Sequence, residues 1–354
     1  MRRLAAISLL IALLFASAAA AQSPKNWQSL APFPAPVREA SLIAAAGKIY
    51  MFTAQGTGLI PLGLVFEYDP AANAWKQKKR MPLPSHHIAT VEHNGKIYFF
   101  GGFKAPDAGP SGWEPIDNSW EYDPQTELWK ALPPMPSKRG AGGAAIVDGK
   151  VYVIGGMAVH PGMPNASVNY GAEEIPRRSV PTVEEYDLAT GKWRERASMP
   201  SPRHHLEVIA VKGKIYALGG RQGLSPNGVG FSDAVEEYDP ATDRWNVSRA
   251  RMPVAREDMS WGVYDGRIFI VGGGTRSSIT SFETVRQLDA YDPALNQWFA
   301  LPSLPPNRFP ASGAVLGDTL YVLSDDHVAR TTGPGGNEIR PYPFDAIRLD
   351  GFFK

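Results

Sequence analysis

Short apolar runs alternate with polar turns along almost the whole chain, and nothing after residue 22 carries the three-to-four spacing of an amphipathic helix. In Asn94-Gly95-Lys96-Ile97-Tyr98-Phe99-Phe100-Gly101-Gly102 and Asp148-Gly149-Lys150-Val151-Tyr152-Val153-Ile154-Gly155-Gly156, a tight polar turn leads into an apolar strand that ends in two glycines. Asn-Gly and Asp-Gly admit positive φ at both central residues, which is the geometry of a short hairpin. A third strand ends in Glu121-Tyr122-Asp123-Pro124 or Glu237-Tyr238-Asp239-Pro240, and a fourth begins at a tryptophan a few polar residues later. The pattern predicts an all-β chain built from four-stranded antiparallel units.

The unit recurs. Trp27, Trp75, Trp129, Trp193, Trp245 and Trp298 lie 48 to 64 residues apart, and the last five each follow a tyrosine by seven residues: Tyr68, Tyr122, Tyr186, Tyr238 and Tyr291. Proline-rich links such as Met81-Pro82-Leu83-Pro84-Ser85 and Met199-Pro200-Ser201-Pro202-Arg203 separate the copies. Four-stranded units repeated six times remove their exposed edges by closing radially into a propeller. The chain enters at Trp27 as a fourth strand and ends near Phe344 to Asp350 as a third, so the N-terminal strand is expected to complete the last blade. The repeated tryptophans are read as filling between neighbouring blades, and their role is structural.

The Gly-Gly doublet, the Tyr-Asp-Pro and the tryptophan at this spacing resemble the kelch repeat, over essentially all of residues 22–354. The doublet stands at 101–102, 155–156, 219–220 and 272–273, and is replaced by Thr53-Ala54 in the first copy and Ser324-Asp325 in the last. The resemblance implies a single six-bladed kelch β-propeller with four antiparallel strands per blade.

Residues 1–21 read as a secretory signal: Arg2 and Arg3, an apolar stretch from Leu4 to Phe15, and a small-residue run ending in Ala19-Ala20-Ala21. The apolar stretch falls short of the ~20 residues that span a bilayer, so a cleaved leader and no membrane anchor are expected, with a periplasmic or secreted product. The net charge of +1 becomes about −1 without Arg2 and Arg3, and no basic stripe or tail offers a surface for nucleic acid. There is no cysteine, so ladder hydrogen bonds rather than a disulfide must close the ring.

In each blade the link into the first strand and the loop after the second lie on one face. Aligned on the links, the copies read Arg38-Glu39-Ala40, Ser85-His86-His87, Arg139-Gly140-Ala141, Arg203-His204-His205, Arg256-Glu257-Asp258 and Arg308-Phe309-Pro310. Five carry arginine, which suits carboxylate ligands, so the candidate ligand-binding set is Arg38, Glu39, His86, His87, Arg139, Arg203, His204, His205, Arg256, Glu257, Asp258 and Arg308. Replacing Arg203 and Arg256 together is expected to abolish ligand retention with little effect on the melt. With His160 and His327 in long loops, six of the seven histidines map to this face. Histidine beside Glu257 and Asp258 suits a divalent metal or acid–base chemistry. Blades two and four are not adjacent, however, and neighbouring residues of a strand point to opposite sides, so polar lining is the plainer reading and no metal or cofactor is assigned. The third-copy loop, with Asn165, Tyr170, Glu173, Glu174, Arg177 and Arg178, and the second-copy loop, with Trp113, are further places for recognition.

The reading that follows is an exported ligand-binding module for an acidic glycan or a protein segment at the loop-rich mouth. The resemblance carries a second: exported bacterial kelch proteins similar in signal and size include sialic acid epimerases, which would make His204 and Glu257 the candidate acid–base groups. Kelch galactose oxidases need a copper site with a cysteine-linked tyrosine, which a chain without cysteine lacks, and the four-residue Glu, Asp and His spacing of the plant iron-binding branch is absent.

Overall fold

The computed structural model describes residues 26–35, 38–55, 60–107, 113–159, 177–225, 230–278, 281–324 and 342–353. Residues 1–25, which include the signal-like segment, and His160 and His327 lie outside them. No helix among the described residues is long and apolar enough to cross a membrane.

Six four-stranded antiparallel sheets form the ring. Blade one comprises Ala40–Ala45, Lys48–Gln55, Pro61–Asp69 and Ala74–Gln77; blade two, Ala89–His93, Lys96–Phe100, Ser119–Asp123 and Leu128–Leu132. Blade three comprises Gly143–Val147, Lys150–Ile154, Val183–Asp187 and Lys192–Glu195; blade four, Glu207–Val211, Lys214–Leu218, Val235–Asp239 and Arg244–Asn246. Blade five comprises Ser260–Tyr264, Arg267–Val271, Leu288–Asp292 and Gln297–Leu301; blade six, Pro310–Leu316, Thr319–Ser324 and Phe344–Arg348. The first strand of each blade faces the axis.

The N-terminal strand Gln28–Ser29 supplies the fourth strand of blade six, pairing Gln28 with Ala346 and Ser29 with Asp345. Leu30 N–H donates to Phe344 O at 2.8 Å and Phe33 N–H to Tyr342 O at 3.0 Å. Phe33 is fully buried, edge-on to Phe66 and Trp75 of blade one. The seam therefore joins both ends of the chain to both terminal blades.

The core is divided into wedges between successive blades, so each blade is apolar on both faces. The last five repeated tryptophans each pair directly across the sheet with the tyrosine seven residues before, as Tyr68 with Trp75 and Tyr291 with Trp298. Four of their indole N–H groups reach into the preceding blade's link: Trp75 to Ala31 O at 3.0 Å, Trp193 to Pro133 O at 3.1 Å, Trp245 to Ala197 O at 2.9 Å and Trp298 to Ala250 O at 3.0 Å. The glycine doublet brings two links close. Gly102, at φ 105°, donates its N–H to Arg139 O at 3.0 Å, and a Cβ there would stand 2.8 Å from His86 O.

Candidate functional site

Links and second-to-third-strand loops share one face, while the hairpin turns and third-to-fourth-strand turns share the other. On the link face, bridges join His86 to Phe103, Gly140 to Met157, His204 to Arg221 and Glu257 to Gly274, so each link pairs with its own blade's loop. The residue after each bridge turns left-handed: His87 at φ 50°, Ala141 at 55°, His205 at 53° and Asp258 at 50°.

Glu39, at φ 55°, is the equivalent in blade one. Alignment by arginine placed it beside His86. The strand register instead sets Glu39 level with His87, because Ala44 pairs with Ile49 as Glu92 pairs with Ile97. Arg38 thus falls one position later than the arginines of blades three to six.

Those four arginines are engaged within their blades, three of them fully buried and Arg308 partly so. Arg139 pairs with Glu184, Arg203 with Glu236 at 3.1 Å, Arg256 with Asp289 and Arg308 with Asp345 at 2.6 Å. Arg139, Arg203 and Arg256 are at most 1 % exposed. Each carboxylate comes from the third strand of the arginine's own blade. Blade two has Ser85 and Trp120 at the two positions, and blade one has Phe66 in place of the acid, so arginine and carboxylate are lost together. The expectation that Arg203 and Arg256 are dispensable for stability is thereby corrected: removing either guanidinium would strand a buried carboxylate.

The left-handed residues face the axis. A cavity of about 410 Å³ runs along it, and Glu39, His87, Ala141, His205 and Asp258 are among its lining, whereas His86, His204 and Glu257 are not. One histidine of each pair therefore faces the channel and the other is sealed behind it. His87 and His205 meet across blade three, with ring centroids 4.7 Å apart, because Ala141 leaves the space between them. His87 Nε2 lies 3.0 Å from Glu39 Oε2. Behind, His86 Nδ1 contacts His87 Nδ1 and His204 Nδ1 contacts His205 Nδ1, two copies of one arrangement. Glu257 pairs with Arg221.

Backbone hydrogen bonds run from blade to blade through the same residues. Ala141 N–H donates to His87 O at 2.9 Å, His205 N–H to Ala141 O at 2.8 Å, and Asp258 N–H to His205 O at 3.3 Å.

Burial sets the protonation of this end of the channel. It holds His86, His204 and His205 well below the usual imidazole range, and nearby Arg221 pushes His204 and His205 further the same way. Burial raises Asp258 well above the carboxylate range, with the Glu257 and Glu39 charges adding to it, and pushes Glu257 up to about 7 despite Arg221. Glu207, on the first strand of blade four, is raised by burial and then by Asp258.

Loop hairpins stand over the face. Phe103–Lys104 pairs with Glu114–Pro115, and Met157–Val159 with Arg177–Ser179, which continues to Leu224–Ser225 and so ties blade three to blade four. Arg221–Gln222 pairs with Gly230–Phe231, and Gly274–Ser278 with Ser281–Thr284. Trp113 packs under its own loop against Phe103, His86 and His87, and the fully buried Arg177 lies over Trp113 and Phe103.

The alignment of links did not single out Arg221 and Glu207. Arg221 directly follows a glycine doublet, which places it on this face; Glu207 is a carboxylate where the other first strands carry Ser41, Ala89, Gly143 and Ser260.

The kelch motif matches residues 84–136, 138–200 and 202–248, which span the repeats of blades two to four. The chain belongs to the kelch-repeat family. It is 29 % identical over 245 residues to Kelch-like protein terF of Aspergillus terreus, covering 68 % of this chain and 50 % of that one. It is 27 % identical over 198 residues to beta-scruin of Limulus polyphemus, covering 56 % and 20 %, and 27 % identical over 259 residues to Kelch-like protein 25 of Xenopus tropicalis, covering 73 % and 40 %. The chain thus spans half or less of the length of these relatives. Kelch propellers are in general protein-interaction modules, and the link face with its hairpins is where this kelch propeller departs from repetition.

Proposed function

We propose that this kelch propeller is an exported interaction module that takes a protein segment on its link face, across the loop hairpins. One observation carries the reading: four of the five arginines that would draw an acidic ligand are paired within the blades, whereas the hairpins over them present mixed polar groups. Asp107, Arg178, Gln222 and Glu283 are exposed there, both charges interspersed. A surface of this kind suits a peptide with several side chains better than a single anion, and an acidic glycan would need guanidinium groups already engaged. The epimerase reading has less support, since His204 and Glu257 are 1 % and 2 % exposed and neither lines the channel.

Selection of displayed random peptides against the purified chain tests this. Shortening the hairpin at residues 275–283 to a two-residue turn is expected to weaken a selected peptide at least roughly tenfold, a loss of about 1.4 kcal/mol. Lys214→Glu on the opposite face is expected to leave it unchanged. The proposal fails if peptides bind only the opposite face, or if sugar acids raise the melting temperature while no peptide is selected.

A further inference from the structure

We propose that Glu39, His87, His205 and Asp258 form a site for one divalent transition-metal ion at the link end of the channel. Three blades bring His87, His205 and Asp258 together and Glu39 of a fourth reaches His87, each from a left-handed residue that lines the channel. One donor atom each from His87, His205 and Asp258 lies within 4.8 Å of the other two. An ion bound at ~2.0–2.2 Å by nitrogen and oxygen separates tetrahedral donors by roughly 3.4 Å, so His87, His205 and Asp258 close on it by side-chain movements of about 1 Å, with Glu39 beside His87 as the fourth donor.

The surroundings are arranged as a ligand shell needs. Each channel-facing imidazole has its Nδ1 against the Nδ1 of the histidine before it, which fixes the ring and leaves Nε2 as the outward donor. His87 Nε2 is sealed from solvent and lies 3.0 Å from Glu39 Oε2, yet it is not aligned for a hydrogen bond with it. At 3.0 Å the pair is about 0.4 Å closer than two donors of one tetrahedral ion, so a small outward swing of the Glu39 carboxylate lets both reach it. Arg221 neutralises Glu257, which stands behind the cluster, so that cation does not compete for the front. Two imidazoles with two carboxylates suit zinc, iron(II) or cobalt(II) rather than magnesium or calcium. The ion would enter along the channel.

Zinc and cobalt titrations of chelator-stripped protein test the site. Calorimetry is expected to show one zinc per chain with Kd near or below ~1 μM, and cobalt to give visible bands of a four- or five-coordinate ion. His87→Asn and His205→Asn, chosen because asparagine tolerates a left-handed backbone, should each weaken zinc at least tenfold, while His93→Asn on the opposite face should not. If a variant does not fold, proton NMR of the wild-type cobalt form decides, since two imidazoles must show shifted ring resonances. No zinc heat and no cobalt bands at 100-fold excess over protein overturn the proposal, as does undiminished binding in the folded double variant or a cobalt form with no shifted imidazole.

Discussion

The two faces of the ring come from one repeat and are held differently. On the turn face, Asp69, Asp123, Asp187, Asp239 and Asp292 each accept a hydrogen bond from the backbone N–H two residues on. The hairpin turns there repeat a pair of positive φ angles, as at Asn94-Gly95, Asp148-Gly149 and Asp265-Gly266. On the link face, Arg256 reaches 33 residues along the chain to Asp289, Arg139 reaches 45 to Glu184, and the channel cluster draws from three blades, with Glu39 of a fourth against His87. Local contacts depend only on their own copy and so repeat. Contacts between distant segments need both partners present, and there the copies diverge: four blades keep the arginine–carboxylate pair and two lose both members.

Buried, long-range contacts should accordingly cost more to break than exposed, local ones. The largest effect is expected at the seam: deleting residues 26–35 removes the closing strand and buried Phe33, whose loss alone is worth about 3–5 kcal/mol, and should lower the melting temperature by at least roughly 5 °C. An unchanged melt would show that closure is not by this strand. Next, Arg256→Ala strands Asp289 and should cost ~3–5 kcal/mol in urea unfolding, whereas Arg256→Met combined with Asp289→Leu should recover most of it. Equal losses in the two would mean that the guanidinium packs rather than pairs.

The smallest effect belongs to the turn aspartates and depends on pH. The Thr190 N–H, then that of Ala189, holds Asp187 below its usual 3.8, and Lys48 and Lys214 are the first causes at Asp69 and Asp239. Since their folded-state pKa values are depressed, the stability they add is full above pH 3.8 and fades as pH falls below it. Melting temperatures between pH 5 and 2.5 should fall less steeply when these three are asparagine. A steeper fall in the variant would reverse the assignment.

Strand count, closure and the tyrosine–tryptophan pairs were legible because each rests on spacing alone. The link face was only partly legible. The slip at Glu39 was hidden because Arg38 mimics the repeated arginine one position late. The fate of the other arginines was written two residues before each repeated tyrosine, in Glu184, Glu236 and Asp289, and in Trp120 and Phe66 where the pair is missing. The meeting of His87 with His205 was not written anywhere local. It needs left-handed backbone at both residues and a methyl group at 141, and strand alternation does not anticipate left-handed turns.

The blade-to-blade hydrogen bonds through His87, Ala141, His205 and Asp258 involve peptide groups alone. Whatever side chains those positions carry, the frame that holds them stays the same, provided the residues accept a left-handed turn. The channel end behaves as a socket with exchangeable pins, so histidine, aspartate, asparagine or glycine can be permuted at 87, 141, 205 and 258 to give a new pocket on an unaltered ring.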